Sequence, residues 1–218
     1  MKNIIPFLCL LIVLGAIAQE KKAPVNPAVL KAKQDFEAKK AEAAKGDPVV
    51  LYELGELYYS GKGTGRNYAE AFKAYTQSAT KGYVLAESTV GYLYERGQGT
   101  GRDYKKAMEW YAKAAEKGHA ESQMGLAEIY YSSKGLPKRD YVNAYKWYAI
   151  SGALGNKEAA AFALKVQALL RDPQVTAAEK TKVEAEVKAW LDKYKKKTSF
   201  GNTCSEGNTI LCKSLPIN

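Results

Sequence analysis

A glycine-rich string occurs twice in this chain, and strings of this kind can cradle phosphate groups. It reads Gly-x-Gly-Thr-Gly-Arg-(Asn/Asp)-Tyr, and its two copies occupy residues 61–68 and 97–104. A nucleotide-binding loop follows a strand and ends in Gly-Lys-(Ser/Thr) at the start of a helix. Here a helical pattern precedes each copy, no Lys-(Ser/Thr) pair follows, and the string is duplicated. These features predict a structural turn and not a phosphate site.

The remaining residue types offer little for catalysis or metal binding. His119 is the only histidine of the chain, so a Ser-His-Asp set and a zinc site both have little to build on. The carboxylates fall on polar helix faces, and the pattern does not show the burial that acid–base catalysis requires. We therefore predict no catalytic residue, no metal site, no cofactor and no enzymatic activity.

The two strings lie 36 residues apart, and the same period extends well beyond them. Boundary glycines recur at spacings of 36, 36 and 37 residues, at Gly46, Gly82, Gly118 and Gly155. Small and aromatic residues recur inside the units, the last displaced by one residue, as Gly55, Gly91, Ala127 and Tyr75, Tyr111, Tyr148. A fixed period of this size is the signature of a repeat array. It predicts three repeats within 46–155, at 46–81, 82–117 and 118–154.

Each unit is predicted to form two helices joined by the glycine-rich loop. Apolar residues recur at i, i+4, i+7 and i+8 in the first segment of each unit, which is the spacing of one buried helix face. The first helices are expected at 49–60, 85–96 and 120–132, and the second helices at 68–81, 104–117 and 141–154. In the first unit the buried face is predicted to comprise Val50, Leu54, Leu57 and Tyr58.

Glycines and short polar residues indicate how these helices begin, end and approach one another. Gly61 and Gly97 suit the left-handed position that follows a helix. Short side chains that suit helix N-caps precede the second helices, at Asn67, Asp103 and Asp140. Gly55 and Gly91 fall in the middle of first helices, where glycine costs about 1 kcal/mol relative to alanine. Their recurrence predicts a close approach of a neighbouring helix at these points.

The first 18 residues have the organisation of an export signal. Lys2 supplies a short basic region, residues 4–17 are apolar, and a small-x-small cleavage site at 16–18 precedes Gln19. The stretch is short for a membrane span, and an uncleaved N-terminal anchor is the alternative. Its short regions favour a bacterial signal over a eukaryotic one. We expect an exported protein, periplasmic or secreted.

Further segments flank the repeats on both sides. Asn26-Pro27 is expected to open a capping helix that reaches about residue 45, within a linker and cap at 19–45. Residues 156–197 are expected to form a closing helix pair, whose second helix starts at the capping box Thr176-x-x-Glu179. The tail at 198–218 carries Cys204 and Cys212, the two cysteines that remain once Cys9 leaves with the signal. In an oxidising compartment we expect them to form a disulfide.

The residues of the repeats resemble the Sel1-like repeat family. Its pattern Leu-Gly-x-Leu-Tyr-x-x-Gly-x-Gly stands at 54–63, and Asp-Tyr-x-Lys-Ala-x-x-Trp-Tyr-x-Lys-Ala-Ala-x-x-Gly stands at 103–118. The first unit has Ala74 at the tryptophan position, and the third has Ser133 and Gly152 in place of a glycine and an alanine. The resemblance implies an all-α, right-handed α-solenoid of helix-turn-helix repeats with capping helices, similar to tetratricopeptide arrays. It also implies a role as a protein-binding adaptor.

By analogy with tetratricopeptide arrays, the first helices would line the concave side of such a solenoid. Outside their buried face they carry a second stripe, which comprises Tyr52, Glu56, Tyr59, Ser88, Tyr92, Glu95, Met124, Glu128 and Tyr131. Tyrosine offers a large contact area at a low entropic cost, and glutamate adds polar contacts that fix register. We predict that this stripe forms a groove that binds a peptide. The alternative is that some of the tyrosines pack between adjacent first helices.

Charge gives a weaker indication of partners. The chain has 33 Lys and Arg against 23 Asp and Glu, a net charge of +10. A basic cluster ends the last predicted helix, at Lys193, Lys195, Lys196 and Lys197. We interpret it as a solvated helix end, where cations suit the dipole, with weak attraction to an anionic surface as the alternative. Export and the lack of an aromatic–basic pattern disfavour nucleic acid.

The sequence thus predicts an exported adaptor or regulatory module that binds a protein or peptide in the bacterial envelope. Two other functions remain compatible with the pattern. One is an inhibitor of the immunity type, which would occlude an exported toxin or hydrolase. The other is a hydrolase that acts on envelope substrates.

Overall fold

The computed structural model describes residues 26–171 and 175–199, with side chains described up to residue 194. Within these ranges the chain forms nine α-helices and no strand, which confirms the predicted all-α class. The predicted signal peptide at 1–18 lies outside the described residues. The same holds for the tail and its predicted disulfide between Cys204 and Cys212, and for the side chains of Lys195, Lys196 and Lys197.

The helices alternate between the first and second members of each repeat. They are α1 (Pro27–Ala43), α2 (Pro48–Ser60), α3 (Tyr68–Thr80), α4 (Val84–Arg96), α5 (Tyr104–Glu116), α6 (Ala120–Ser132), α7 (Tyr141–Ala153), α8 (Lys157–Leu169) and α9 (Ala177–Ser199). The first helices of the three repeats are α2, α4 and α6, and the second helices are α3, α5 and α7. The ends of these six helices agree with the predicted ones to within one residue.

The helices form a one-dimensional stack. From α1 to α8 each helix packs against the next one along the chain, and α4 also contacts α6. The last helix, α9, turns back and packs against α7. A solenoid of this kind buries its core between neighbouring units, so each element is positioned by the elements next to it.

Tyrosine rings of the second helices pack against glycines in the middle of the first helices. A Cβ added at Gly55 would lie 2.6 Å from the Tyr75 ring, and one added at Gly91 would lie 2.7 Å from the Tyr111 ring. Both rings are buried. The predicted close approach is therefore confirmed, with the detail that an aromatic ring fills the space that each glycine leaves.

Each glycine-rich loop connects the two helices of its repeat and also packs against the unit before it. In the second loop, Gly97 ends α4 with φ of 69° and its N–H donates to the Leu93 carbonyl, as predicted for a left-handed cap. Gly99 lies against α3, where a Cβ would collide with the carbonyl group of Tyr68. Gly101 has open space around it. The duplicated string therefore serves as a turn whose second glycine allows one unit to dock on its predecessor.

Side-chain caps begin the second helices and the last helix as predicted. The carboxyl or amide oxygens of the predicted N-caps accept hydrogen bonds from backbone N–H groups three residues on, at Asn67, Asp103 and Asp140. At α9 the Thr176 Oγ1 accepts from the Glu179 N–H at 3.2 Å, while the Glu179 carboxylate accepts from the Thr176 N–H at 2.8 Å. These bonds satisfy donors that a helix N-terminus leaves free.

The buried face of the first helices differs from the predicted one. Leu51 and Leu54 are buried in α2, whereas Val50, Leu57 and Tyr58, predicted to be buried, are only half-buried. The residues equivalent to Leu51 are polar but also buried: Glu87 pairs with Lys117 at 2.7 Å, and the Gln123 amide donates to the Ala115 carbonyl. The reason is that α4 and α6 pack against second helices on both sides, so one apolar stripe does not cover the contact.

Candidate functional site

A cavity of about 570 Å³ opens between α4, α6 and the first turn of α8. Five members of the predicted stripe line it, namely Ser88, Tyr92, Glu95, Met124 and Glu128. The other lining residues were not predicted as part of the site, and they are Thr89, Arg96, Tyr111, Glu121, Gly125, Asn156 and Glu158. We call this cavity the α4–α6–α8 groove.

The stripe residues of α2 lie outside the groove, and neighbouring side chains engage them. The Tyr75 hydroxyl donates a hydrogen bond to Glu56 Oε1 at 2.5 Å. The Tyr59 hydroxyl donates to Gln98 Oε1 at 3.0 Å. The first bond joins the two helices of the first repeat, and the second joins the first repeat to the loop of the second.

Two further stripe tyrosines pack against other rings. The Tyr52 ring lies 5.3 Å from both the Tyr75 and the Tyr83 ring, and burial raises the pKa of Tyr52 to about 12. Tyr131 lies 5.9 Å from the Tyr141 ring and, like the α2 residues, does not line the groove. The structure thus places five of the nine stripe residues in one cavity and the other four in contacts within the fold.

Glu95 is held in place on the wall of the groove. The Tyr111 hydroxyl donates to Glu95 Oε2 at 3.1 Å, and the Lys134 ammonium donates to Glu95 Oε1 at 3.1 Å. The Tyr111 ring passes between two first helices, because Gly91 and Gly125 carry no side chain that would block it. Burial, followed by the charge of Glu95, raises the pKa of the Tyr111 hydroxyl, which therefore remains a hydrogen-bond donor.

The other carboxylates of the groove are less engaged. Among the described residues, none forms a hydrogen bond or ion pair with the side chain of Glu128 or Glu158. Burial raises the pKa of Glu128, and the negative charge of Glu95 adds to the effect, while Lys134 acts in the opposite direction. The groove thus concentrates negative charge that its own cations only partly balance.

An aromatic ring and a thioether lie among these carboxylates. The Tyr92 side chain is 39 % exposed, and the Arg96 guanidinium lies 5.5 Å from the centre of its ring. Met124 lines the same cavity from α6. Tyrosine and methionine side chains provide apolar contact surface, so the groove combines apolar surface with hydrogen-bond acceptors.

His119 serves as the N-cap of α6, next to the groove. Its Nδ1 accepts from the Ser122 N–H at 3.3 Å, and its Nε2 lies 3.3 Å from Glu121 Oε2. Burial lowers the pKa of His119, and the charge of Glu121 opposes this shift. The neutral imidazole is therefore the form that caps the helix.

The described residues contain no cluster of three or more His, Cys, Asp and Glu side chains that could hold a metal ion. None of the helices in those ranges combines the length and apolar character that a bilayer crossing requires. Lys193 lies on α9, away from the groove.

Sequence reasoning missed the groove residues that α8 contributes. Asn156 caps α8 through its side-chain oxygen, and Glu158 follows in the first turn. Both lie at the start of the helix that follows the last boundary glycine, and Glu158 is the repeat equivalent of Glu121. Neither is a stripe position, so extending the stripe by one helix would not have found them. Tyr111 was assigned to the core, and its hydroxyl reaches the groove only because of the glycines on either side.

Comparisons with known proteins agree with this architecture. The Sel1 repeat family matches the chain at residues 48–83, 85–119 and 120–156. No curated protein sequence is significantly similar to it.

Two solved structures are similar to the chain. A Sel1 repeat protein from Oxalobacter formigenes is 28 % identical with a TM-score of 0.58, over 76 % of this chain and 64 % of that one. A protective antigen present in uropathogenic Escherichia coli strains, which displays an SLR fold, is 24 % identical with a TM-score of 0.44, over 73 % of this chain and 41 % of that one. The chain therefore spans less than two thirds of the length of either protein.

Proteins built from Sel1 repeats generally mediate protein–protein interactions, on a scaffold that is typically non-catalytic. Three consecutive matches across half of the chain, on a stack of paired helices with the expected loops, show that this protein belongs to the Sel1 repeat family.

Proposed function

We propose that this protein is an exported adaptor or regulatory module of the bacterial envelope, and that the α4–α6–α8 groove receives its protein partner. The groove carries the proposal, because there the predicted stripe faces an open cavity, whereas on α2 it faces other side chains. The exposed Tyr92 and the half-buried Met124 supply apolar surface, and four glutamates supply acceptors around them. An extended peptide segment fits a cavity with both features.

Export is the second element of the proposal. It is supported by the basic, apolar and small-residue regions of residues 1–18 and by the two cysteines of the tail. Mass spectrometry of the non-reduced protein purified from its native host tests it. We expect Gln19 at the N-terminus and Cys204 joined to Cys212. Retention of residues 1–18 with two free thiols would contradict export into an oxidising compartment.

Affinity capture from the envelope fraction of the native host tests the binding role. The mature chain is compared with the double variant Tyr92→Ala/Met124→Ala, which removes the apolar surface of the groove. The matched control is Leu30→Ala/Leu164→Ala, which removes two exposed leucines of α1 and α8 that do not line it. We expect the groove variant to lose its captured protein while the control retains it. Equal capture by all three would place the binding surface elsewhere.

The captured protein also distinguishes an adaptor from an inhibitor. A toxin or hydrolase whose activity the chain suppresses would assign it to the immunity type. A partner without such activity would support the adaptor role.

A further inference from the structure

The α4–α6–α8 groove has a charge opposite to that of the chain as a whole. The chain carries a net charge of +10, yet the groove is lined by four carboxylates and one guanidinium. Negative charge gathered in a cleft attracts cations and repels anions such as phosphates and lipid head groups. The sign of the groove therefore limits the kind of partner segment that it can accept.

The cations next to the groove are already engaged. The Arg96 guanidinium lies over the Tyr92 ring, and the Lys134 ammonium binds Glu95. Within the described part of the chain, Glu128 and Glu158 are left without a hydrogen bond or an ion pair of their own. A partner's cation could therefore bind these two carboxylates without displacing a hydrogen bond or ion pair within the protein.

Glu128 lacks the structural hydrogen bond that its repeat equivalent, Glu56, accepts. Glu56 occupies the same position two repeats earlier and accepts a hydrogen bond from Tyr75. In the third repeat, Tyr148 takes the place of Tyr75, and its ring stacks on Phe162 at 5.3 Å. The Glu128 carboxylate is thus partly desolvated and close to other negative charges, an arrangement that lowers stability unless something binds it.

The apolar residues of the groove are suited to the stem of a long cationic side chain. Lysine and arginine place their methylene groups along apolar surface while the charged group stays polar. Tyr92 and Met124 offer that surface next to the carboxylates. A short acidic or a purely apolar side chain would use only one of the two features.

We propose that the groove recognises its partner through a lysine or arginine side chain. Its stem lies on Tyr92 and Met124, and the carboxylates of Glu128 and Glu158 bind its charged group. This inference rests on the proposed function, because it takes the groove as the partner surface.

Peptide selection tests the proposal without knowledge of the natural partner. A phage-displayed library of random dodecapeptides is selected on the mature chain, and the affinities of selected peptides are measured by calorimetry. The test variant is Glu128→Gln/Glu158→Gln, which keeps side-chain shape and removes charge. The matched control is Glu37→Gln/Glu109→Gln, on exposed positions of α1 and α5. Circular dichroism confirms that each variant retains its helices.

We expect the selected peptides to share a lysine or arginine. Their affinity should fall about tenfold on Glu128→Gln/Glu158→Gln, because two ion pairs with the partner are lost. It should not change in the control, and replacing the shared residue of the peptide by norleucine should cause the same loss as the test variant.

Two other results would overturn the inference in different ways. In the first, peptides lose affinity for the Tyr92→Ala variant but not for Glu128→Gln/Glu158→Gln. That result would show that the groove binds peptides without recognising a cation, so the proposed function would hold and this inference would fail. Peptides that are insensitive to both variants would show that the groove is not the partner surface, and both proposals would fail.

Discussion

The first and third repeats use one position of the repeat in opposite ways. Glu56 on α2 accepts a hydrogen bond from the Tyr75 hydroxyl at 2.5 Å. Its equivalent on α6, Glu128, lines an open cavity, and Tyr148 stacks on Phe162. The helices of the two repeats have the same length, 13 residues, but different side chains surround the two carboxylates. A repeat fold can thus use a carboxylate for its own stability in one unit and leave the equivalent carboxylate at an open cavity in another.

The pKa of Glu128 shows the cost of the open arrangement. Burial and the charge of Glu95 raise it above the ordinary value of a glutamate. A carboxyl whose pKa is raised by folding favours the folded state below its unfolded pKa, and this contribution is lost as the pH rises through the folded pKa. At neutral pH the ionised Glu128 therefore opposes folding slightly.

The largest effect is expected at the mid-helix glycine that leaves space for a tyrosine ring in the first and second repeats, where the third repeat has Ala127. Alanine at a mid-helix glycine normally stabilises a helix by about 1 kcal/mol. Gly91→Ala should instead lower the free energy of unfolding by about 1–3 kcal/mol, because its Cβ would lie 2.7 Å from the Tyr111 ring. Urea denaturation measures the change. Gly101→Ala, in open space, is the control, and an equal loss there would contradict the packing argument.

Removing the hydroxyl of Tyr75 or Tyr148 should affect the stability of the first and third repeats differently. Tyr75→Phe removes the hydroxyl that binds Glu56 and should lower the free energy of unfolding by about 1–2 kcal/mol. Tyr148→Phe should change it by less than about 0.5 kcal/mol, because the stacking on Phe162 is retained. Thermal denaturation followed by circular dichroism compares the two variants. Similar losses in both would remove the contrast between the repeats.

A smaller effect is expected from the N-caps of α2 and α6, the first helices of the first and third repeats. Asp47 caps α2, whereas His119 caps α6 with a neutral imidazole. Folding lowers the pKa of His119, so its contribution is present above the unfolded pKa of 6.5 and is lost as the pH falls through the folded pKa. Stability should therefore decrease below about pH 6.5, by up to about 1 kcal/mol.

His119→Asn provides the matched test of that cap. Asparagine caps α8 at the corresponding position, Asn156, and does not titrate. The variant should retain its stability as the pH falls from 7 to 5, as measured by urea denaturation at each pH. An unchanged pH dependence in the variant would assign it to other groups.

The sequence was sufficient for the parts of the structure that repeat. Helix ends, caps and left-handed glycines follow from local chemistry that recurs every 36 or 37 residues, and the structure agrees with them. The period alone could not show which stripe residues face a cavity. Tyr52 packs against Tyr83, whereas Ser88 at the equivalent position leaves space, and α8 closes the groove with Glu158. These differences depend on neighbours that vary between units.

The same limit explains the buried polar residues. The apolar pattern placed Val50 in the core, yet the position of Leu51 is buried in all three repeats and is occupied by Glu87 and Gln123 in two of them. Lys117, which follows α5, forms an ion pair with Glu87, and the Ala115 carbonyl of α5 accepts a hydrogen bond from Gln123. A pattern based on hydrophobicity cannot detect a buried position whose polar group is partly satisfied by a neighbouring helix and the residue that follows it.

We infer that one repeat position is structural at residue 56 and available to a partner at residue 128. The most direct test makes the same substitution at both, Glu56→Gln and Glu128→Gln, and measures the free energy of unfolding and the affinity for a groove-binding peptide. We predict that Glu56→Gln lowers stability, by about 0.5–1 kcal/mol, and leaves affinity unchanged. Glu128→Gln should leave stability equal or higher and weaken the affinity several-fold. Equal effects of the two substitutions on both quantities would contradict the account.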